Sequence, residues 1–521
     1  MSRLVIGNRL PGPLAHRLVW LARAGDVVVL PSHPRGEFLE RLRRFAALPA
    51  GEPAIAVPPA GRAGAGRLDD DRLAVPGFVG ELRALAGARG VDRILPVRSD
   101  AAIRRLACAA GLDRSRAAAD PAGRDGGLVD TLLADTPLVD SLRVDTLARF
   151  RAVAAGNRVP IPEGRVCTSP REAEEFVWRL LCGGRSALVR PEPDPDSGGS
   201  GGKSGSAGIR GGIGGGGELN ELIVPVGGRP GADAETTVAV GDRETLGEYL
   251  AKNWRRYSGG TGRPVVVEHY IHDCGRLRLE YQVSDDEAKL LFHGYARTAS
   301  ADAALVLPTP AERVPDVAGL LAEAAQVMEA VRGLGHRGHA ALDAVVTPSG
   351  RVLFTGLREG LSAATHLDAA ARLAVGDGYL CTRVLIARDR IAWSSYTAAE
   401  ALLERRGLAF DPGTRTGVLL TGDDFSGDDF SGDAFGGADG DGRGGAYSAD
   451  GTESTATASR AGAGVESASA GVPTGQFLAI GRDQAHAAEL EAAALAAFEA
   501  ALAWDLEPDD SPAASVTSRS G

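Results

Sequence analysis

A single carboxylate within an apolar stretch is the group whose chemistry stands out most in this sequence. Residues 340–346 are apolar apart from Asp343, residues 351–357 form a second extended run, and the tetrapeptide Thr-Pro-Ser-Gly at 347–350 separates them. Proline at the second position and glycine at the fourth are typical of a type I turn, so the pattern predicts a two-stranded hairpin. A buried acid needs a cation, a hydrogen-bond donor or a metal ion beside it. Asp343 is therefore a candidate metal ligand, and the alternative is a structural salt bridge or cap.

A glycine-rich stretch at 195–217 is the second feature that could serve a ligand. Ser197 stands where a P-loop requires its first glycine, and no helix is predicted after Ser204, so this is not a P-loop. Its backbone amides, including those of Gly201 and Gly202, could nevertheless fold over phosphates together with Lys203. The alternative is an insertion between two strands that binds nothing.

Two His-x-x-His pairs, His269/His272 and His336/His339, resemble metal-binding spacing. On a strand this spacing places the two rings on opposite faces, because side chains alternate. The pairs are therefore interpreted as surface or loop histidines.

Composition limits the function classes. The chain of 521 residues has a net charge of -11 and a pI near 5.5, which argues against nucleic acid as a main partner. The five cysteines contain no Cys-x-x-Cys pair, which is typical of reduced thiols in a cytosolic protein. No signal peptide and no apolar run of about 18 residues is present, so no membrane association is expected. The predicted location is cytoplasmic.

The elements that must position these residues alternate between strands and helices. In residues 1–125, four short apolar runs at 4–8, 26–31, 54–59 and 93–97 alternate with helical patterns. This predicts a parallel sheet covered on both faces, and the absence of a Gly-x-Gly-x-x-Gly motif means that no dinucleotide is implied. The predicted class is α/β.

The rest of the chain contains further strands and helices and two low-complexity segments. Helices are predicted at 145–155, 170–181, 244–257, 317–332, 398–406 and 484–504, and strands at 187–190, 222–226, 264–271, 277–295 (a pair), 416–420 and 475–481. The segment 422–474 is interpreted as a disordered insertion, and residues 507–521 as a disordered tail.

The order of these pieces resembles the ATP-grasp ligases, and more closely the actinobacterial peptide ligases of the pheganomycin type. The pieces are Val5-Ile6-Gly7-Asn8, residues 25–31, Val-Pro-x-Pro at 159–162, the strand ending at Arg190, the glycine-rich loop, Val267-Glu268, the Asp343 hairpin and the paired runs 414–420 and 477–481. The resemblance implies a Rossmann-like pre-ATP-grasp domain at 1–125 and an ATP-grasp core at 138–395 into which the loop 195–217 is inserted. A C-terminal segment at 396–506 follows and contains the insertion 422–474.

Such a resemblance implies a ligase that phosphorylates a carboxylate with ATP and lets an amine displace the phosphate. Magnesium would bridge the phosphates. By position in the family pattern, Asp343 would hold magnesium and Glu268 would contact the nucleoside. The residues implied to meet phosphates are Arg190, Gly201, Gly202, Lys203 and the catalytic Arg358. The substrates would be a small-molecule or peptide carboxylate and an amine, of unknown identity, and the oligomeric state is not indicated.

The second hairpin strand departs from the family's Glu-x-Asn-x-Arg run. Anchoring on the Leu-Arg pair at 357–358 puts Phe354 at the Glu position and Gly356 at the Asn, with two extra residues before 365. Anchoring on the Thr-His pair at 365–366 puts Gly356 at the Glu and Arg358 at the Asn. We adopt the first register, in which Phe354→Glu with Gly356→Asn is expected to strengthen Mg-ATP binding. In either register both metal ligands are missing, which leaves the magnesium site degenerate.

Other positions also differ from the pattern. Glu359 cannot replace the missing ligands, because strand alternation points it to the opposite face unless a bulge intervenes. Thr146 and Arg190 stand where the family has phosphate-binding lysines; arginine can still bind phosphate, whereas threonine brings no charge. The alternative function is therefore an inactive ATP-grasp relative that acts as a nucleotide-binding or scaffold protein.

Overall fold

The structure is a computed structural model, and it describes a defined set of residues. These are 2–62, 64–98, 100–112, 146–192, 221–226, 236–259, 262–297, 304–362, 364–424 and 474–505. The glycine-rich loop with Gly201, Gly202 and Lys203, most of the predicted insertion 422–474 and the tail 507–521 lie outside them.

The first sheet is parallel, with the strand order β3-β2-β1-β4. Its strands are β1 (Ser2–Ile6), β2 (Val27–Val29), β3 (Ala54–Ala56) and β4 (Val91–Pro96), and its helices are α1 (Gly12–His16), α2 (Gly36–Phe45), α3 (Asp70–Leu73), α4 (Pro76–Arg89) and α5 (Ala101–Ala109). Every residue of β2 is buried, as expected for a central strand covered on both faces. The parallel α/β arrangement predicted for this part of the chain is confirmed.

The second sheet has five strands in the order β5-β9-β6-β7-β8. The elements are α6 (Leu147–Gly156), β5 (Gly164–Cys167), α7 (Pro170–Cys182), β6 (Ala187–Pro191), β7 (Glu221–Pro225), β8 (Thr236–Val240), α8 (Arg243–Tyr257) and β9 (Val265–His269). The apolar sides of α7 and α8 pack against this sheet in one core.

The third sheet is antiparallel and has the order β14-β13-β10-β11-β12-β15-β17-β16. The elements are β10 (Gly275–Val283), β11 (Ala288–Arg297), β12 (Ala304–Leu307), α9 (Val317–Gly333), β13 (Gly338–Val346), β14 (Val352–Glu359), α10 (Thr365–Ala374), α11 (Tyr379–Thr382), β15 (Val384–Ala392), α12 (Tyr396–Arg405), β16 (Gly417–Asp424), β17 (Thr474–Gly481) and α13 (Gln484–Asp505). The predicted pairing of the last two strands is confirmed. Since β16 ends at Asp424 and β17 begins at Thr474, the stretch between the strands is shorter at both ends than the predicted insertion.

Side-chain caps account for where several helices begin. The capping side chains accept a hydrogen bond from the backbone amide three residues later, and they belong to Asp100, Thr146, Ser169, Asp242, Asp316 and Ser395. Such caps satisfy backbone donors that have no partner inside the helix. These helices begin within about two residues of the predicted starts.

Four strands and four helices of the described residues were not predicted: β5, β8, β12, β15, α1, α3, α10 and α11. Strands β5, β8 and β12 have only four or five residues, so they offer too few alternations to show a period. Strand β15 carries Arg388, Asp389 and Arg390 in its middle, which obscures its apolar character. Strand β15 matters most, because it joins β17 and β16 to the rest of the third sheet.

Buried polar contacts join the helical segment that follows β1 to strands of the third sheet. Arg17, which is 1% exposed, donates to Asp389 at 2.6 Å, and the Trp20 indole donates to the carbonyl of Thr421 at 2.9 Å. A shared apolar core includes Phe38 and Phe477. The N-terminal domain therefore packs as one body with the C-terminal strands.

A buried arginine holds the loops at the carboxyl end of the first sheet. Arg72 is 1% exposed and donates all five of its guanidinium hydrogens to backbone carbonyls at 2.6–2.8 Å, those of Pro31, Pro58, Pro59, Ala65 and Arg67. Its side chain passes so close to Gly61 that a Cβ there would lie 2.6 Å from Arg72 Cγ. The loop therefore wraps around one cationic group.

No helix among the described residues is long and apolar enough to cross a lipid bilayer.

Candidate functional site

A charged face on the third sheet lies opposite its apolar face. On β10, Leu277 and Leu279 pack in a core with α9, so alternation turns Arg278 and Glu280 to the other side. Arg278 is paired with Asp343 of β13, and Asp343 is in turn paired with Gly356 of β14. These three residues form one row across three strands, with Arg358 in the next row.

Two arginines hold the carboxylate of Asp343. Arg278 donates from Nε and Nη2 to Oδ1 at 3.1 and 2.9 Å, and Arg358 donates from Nε to Oδ2 at 3.0 Å. Burial alone would raise the pKa of Asp343, but the charges of Arg278 and Arg358 outweigh burial and lower the pKa to about 2. Asp343 is thus ionised and bound by cations on both oxygens.

A second ion network lies on the five-stranded sheet. Glu268 is 3% exposed and receives hydrogen bonds from Arg151 to Oε1 and from Arg190 to Oε2, at 2.5 and 3.1 Å. Arg190 also donates to the carbonyl of Thr355 on β14 at 2.8 Å. Arg190 therefore bridges the two sheets, and it brings the Glu268 network next to the row that holds Asp343.

A bulge in β14 changes which side chains face Asp343. Asp343 pairs with Gly356, but the next residue, Ala344, pairs with Phe354, so Thr355 is the extra residue. The amide of Phe354 donates to the carbonyl of Pro160 in the Val-Pro-x-Pro segment at 2.8 Å. Phe354 is 0% exposed and lies in the core with α9. It therefore cannot occupy a ligand position, and the predicted role of Phe354→Glu in metal binding is wrong.

Replacing Phe354 with glutamate is instead expected to destabilise the protein by at least about 3 kcal/mol, because the change removes a buried ring and buries a carboxylate without a partner. Phe354→Leu, which keeps an apolar group there, is the matched control and is expected to cost less than about 1.5 kcal/mol. Urea unfolding monitored by circular dichroism measures both. A folded Phe354→Glu protein that binds Mg-ATP more tightly would contradict this placement and support a ligand position for residue 354.

The residues present do not fit a magnesium ion at Asp343. Both carboxylate oxygens are bound by arginines, and Gly356, which faces them, supplies no side chain. In the described parts of the chain, no group of three His, Cys, Asp or Glu side chains could hold a metal ion. Glu359 does not help: it pairs with Ala340 of the core face, and its carboxylate lies 3.5 Å from His336 Nδ1. At Asp343 the structure shows a salt bridge, which is the alternative considered from the sequence.

Thr146, which stands where the family has a phosphate-binding lysine, lies at the start of a helix. Thr146 caps α6, and the carboxylate of Glu192 accepts the amides of Leu147 and Ala148 at 2.8 and 2.6 Å. At the position expected for a phosphate-binding lysine, the structure therefore has the start of a helix, whose first amides are bound by the carboxylate of Glu192.

The histidine pairs also make local contacts. His272 Nε2 lies 2.9 Å from the hydroxyl of Ser186, and His336 Nε2 lies 3.3 Å from the carbonyl of His339. Burial lowers the pKa of His339 to about 4, so this ring is neutral at physiological pH.

Sequence reasoning did not identify Arg278 or Arg151. A signal for Arg278 was present, since Leu277-Arg278-Leu279-Glu280-Tyr281 alternates apolar and charged residues, as a strand with one charged face does. Arg151 gave no such signal, because it lies within a helix of mixed composition.

Comparisons with known proteins agree with the N-terminal prediction. Residues 15–112 match the family model of the Pre ATP-grasp domain. No curated protein matches the sequence of this chain.

Several solved structures match this chain at low sequence identity and low TM-score. The L-amino acid ligase from Bacillus licheniformis shares 13% identity at a TM-score of 0.43, and the match covers 94% of this chain and 97% of that chain. N5-carboxyaminoimidazole ribonucleotide synthetase from Thermus thermophilus shares 14% identity at a TM-score of 0.45, with 96% and 98% covered. N5-carboxyaminoimidazole synthetase from Staphylococcus aureus shares 9% at a TM-score of 0.47, with 96% and 97% covered.

The α/β class predicted from the sequence is confirmed, and the chain carries a pre-ATP-grasp domain near its N-terminus.

Proposed function

We propose that this chain is an ATP-dependent carboxylate–amine ligase of the ATP-grasp type that forms peptide bonds through an acyl phosphate. The observation that supports the proposal most is the position of Arg190 and Arg358. They come from different sheets, yet Arg190 reaches the Thr355 carbonyl three residues from Arg358. The domain match at 15–112 and the order of elements after it agree with such a ligase.

In this proposal the arginines supply charge and position. The γ-phosphoryl group of ATP passes to a carboxylate oxygen and ADP leaves; the amine nitrogen then attacks the carbonyl carbon, releases phosphate and loses a proton. Arg358 and Arg190 would neutralise the charge that develops on the transferred group. Glu268 orients Arg190 through its 3.1 Å ion pair, so it acts through that arginine. Because the residues at Asp343 do not fit magnesium, no step is assigned to that ion.

A second candidate is an inactive relative that binds a nucleotide or serves as a scaffold. The observation that favours it is the salt bridge at Asp343, which occupies the acid that the family pattern assigns to magnesium.

ATP consumption by the full chain, with pooled amino acids and dipeptides, tests the ligase proposal. Turnover is expected in the wild type, with a loss of about 100-fold in Arg358→Gln, because a charge that stabilises the transition state is removed. Arg351→Gln is the matched control, since Arg351 is exposed at the turn of the same hairpin. ATP binding without turnover favours the second candidate, and a wild type that neither binds nor consumes ATP overturns the ligase.

A further inference from the structure

An arginine occupies the place that a divalent cation would take beside Asp343. Arg278 is 5% exposed and approaches Oδ1 with two nitrogens, while Arg358 approaches Oδ2. A magnesium ion bound to either oxygen would have to displace one of these guanidinium groups or lie against it. Like charges at such short range repel strongly in a partly buried site.

The row that contains Asp343 is open where a second metal ligand would project. A Cβ on Gly356 would meet nothing closer than Arg190 Nη2 at 3.9 Å and Leu147 Cδ2 at 4.0 Å. A Cβ would fit here in ordinary van der Waals contact, but the residue is glycine. The site therefore lacks a second metal ligand at position 356, and no other side chain has moved into the place of a Cβ there.

The charged region formed by the Asp343 row and the adjacent Glu268 network keeps an excess of positive charge after its ion pairs are formed. The guanidinium groups of Arg151, Arg190, Arg278 and Arg358 outnumber the two carboxylates that bind them, Glu268 and Asp343. Even with the nearby Glu280 ionised, one positive charge is in excess. Burial raises the pKa of Glu280, which favours its neutral form and enlarges that excess.

Arg358 is the arginine of this set that is best placed to bind an anionic ligand. Its side chain is 38% exposed, and Asp343 holds it through Nε alone. Within the described ranges its two terminal nitrogens make no hydrogen bond, so they can donate together to one phosphate group.

We propose that Arg278 substitutes for the divalent cation at Asp343, so that this charged region binds a nucleoside polyphosphate through arginines, without magnesium. This inference rests on the proposed binding of a nucleotide in this region, which the ligase and a nucleotide-binding inactive relative share. Arg278 neutralises Asp343 at Oδ1. Arg358, which is held by Oδ2 of the same carboxylate, contacts the phosphates.

Calorimetric titration of the full wild-type chain with ATP, in magnesium and in EDTA, tests the inference directly. The two dissociation constants are expected to agree within about threefold, a difference of less than one decade in affinity. Binding that is lost in EDTA overturns the inference and leaves the nucleotide-binding function intact. An absence of binding in both buffers overturns both.

Two sets of variants sharpen the test. Arg358→Gln is expected to weaken ATP binding about tenfold in both buffers, whereas Arg351→Gln leaves it unchanged. Arg278→Ser with Gly356→Glu removes the competing charge and adds a carboxylate opposite Asp343, so affinity should become magnesium-dependent. Circular dichroism verifies that each variant is folded; an unfolded double variant leaves the wild-type comparison as the deciding measurement. Equal affinity of Arg358→Gln and wild type in EDTA contradicts the proposal.

Discussion

Replacing Arg72 with methionine is expected to destabilise the protein by about 3–5 kcal/mol, the largest effect of any single substitution considered for the N-terminal domain. Methionine fills part of the space but donates no hydrogen bond. Five carbonyls, that of Pro31 and four in the loop at 57–67, would lose their donor at once. The loops after β2 and β3 depend on this group, because few direct backbone hydrogen bonds join them.

The Arg72→Lys variant separates the contribution of the positive charge from that of the five hydrogen-bond donors. Lysine keeps the positive charge but has three donors in place of five, so at least two carbonyls remain unsatisfied and an intermediate loss is expected. Arg105→Met serves as the control, since Arg105 is 64% exposed on α5. Urea unfolding gives the free energies, and hydrogen exchange of β2 and β3 peptides locates the change. An Arg72→Met protein within about 0.5 kcal/mol of the wild type would contradict this role.

The hairpin that holds Asp343 was predictable because its information is local. The turn at 347–350 has the residues that a type I turn needs, and the Gly350 amide donates to the Thr347 carbonyl at 2.8 Å, as that turn requires. The parallel sheet of the N-terminal part was likewise indicated by apolar runs that alternate with helical patterns.

The environment of Asp343 was not predictable, because it depends on register and on a bulge. The identity of β10 as the neighbour of β13 is a long-range pairing that no local pattern specifies. The bulge at Thr355 reverses the face of Phe354 relative to Gly356, so counting by twos along β14 leads to the wrong side. Arg72 shows the same limit, since it follows three aspartates and reads as a surface charge in the sequence.

Removing one partner of the Arg278–Asp343 pair is expected to lower the free energy of unfolding by about 3–5 kcal/mol, because a charge is left without its partner in a largely buried site. Asp343→Ala leaves Arg278 without its carboxylate, and Arg278→Met leaves Asp343 with Arg358 alone. The double variant Arg278→Met/Asp343→Leu removes both charges and keeps the volume apolar. It is expected to recover most of the loss, so a double-mutant cycle should show a strong coupling.

The acid side of the stability profile provides an independent measure of the same pair. The folded-state pKa of Asp343 is about 2, below its ordinary value of 3.8, so the unfolded chain binds this proton more readily. The resulting stabilisation, about 2 kcal/mol, is complete above pH ~4 and is lost as the pH falls towards 2. The double variant lacks the carboxylate, so its unfolding free energy should fall less steeply over this window. Parallel acid profiles in the two proteins would mean that Asp343 titrates alike in the folded and unfolded chains. In that case the arginines would do no more than offset the effect of burial on the pKa of Asp343, and the net stabilisation expected from the ion pair would be absent.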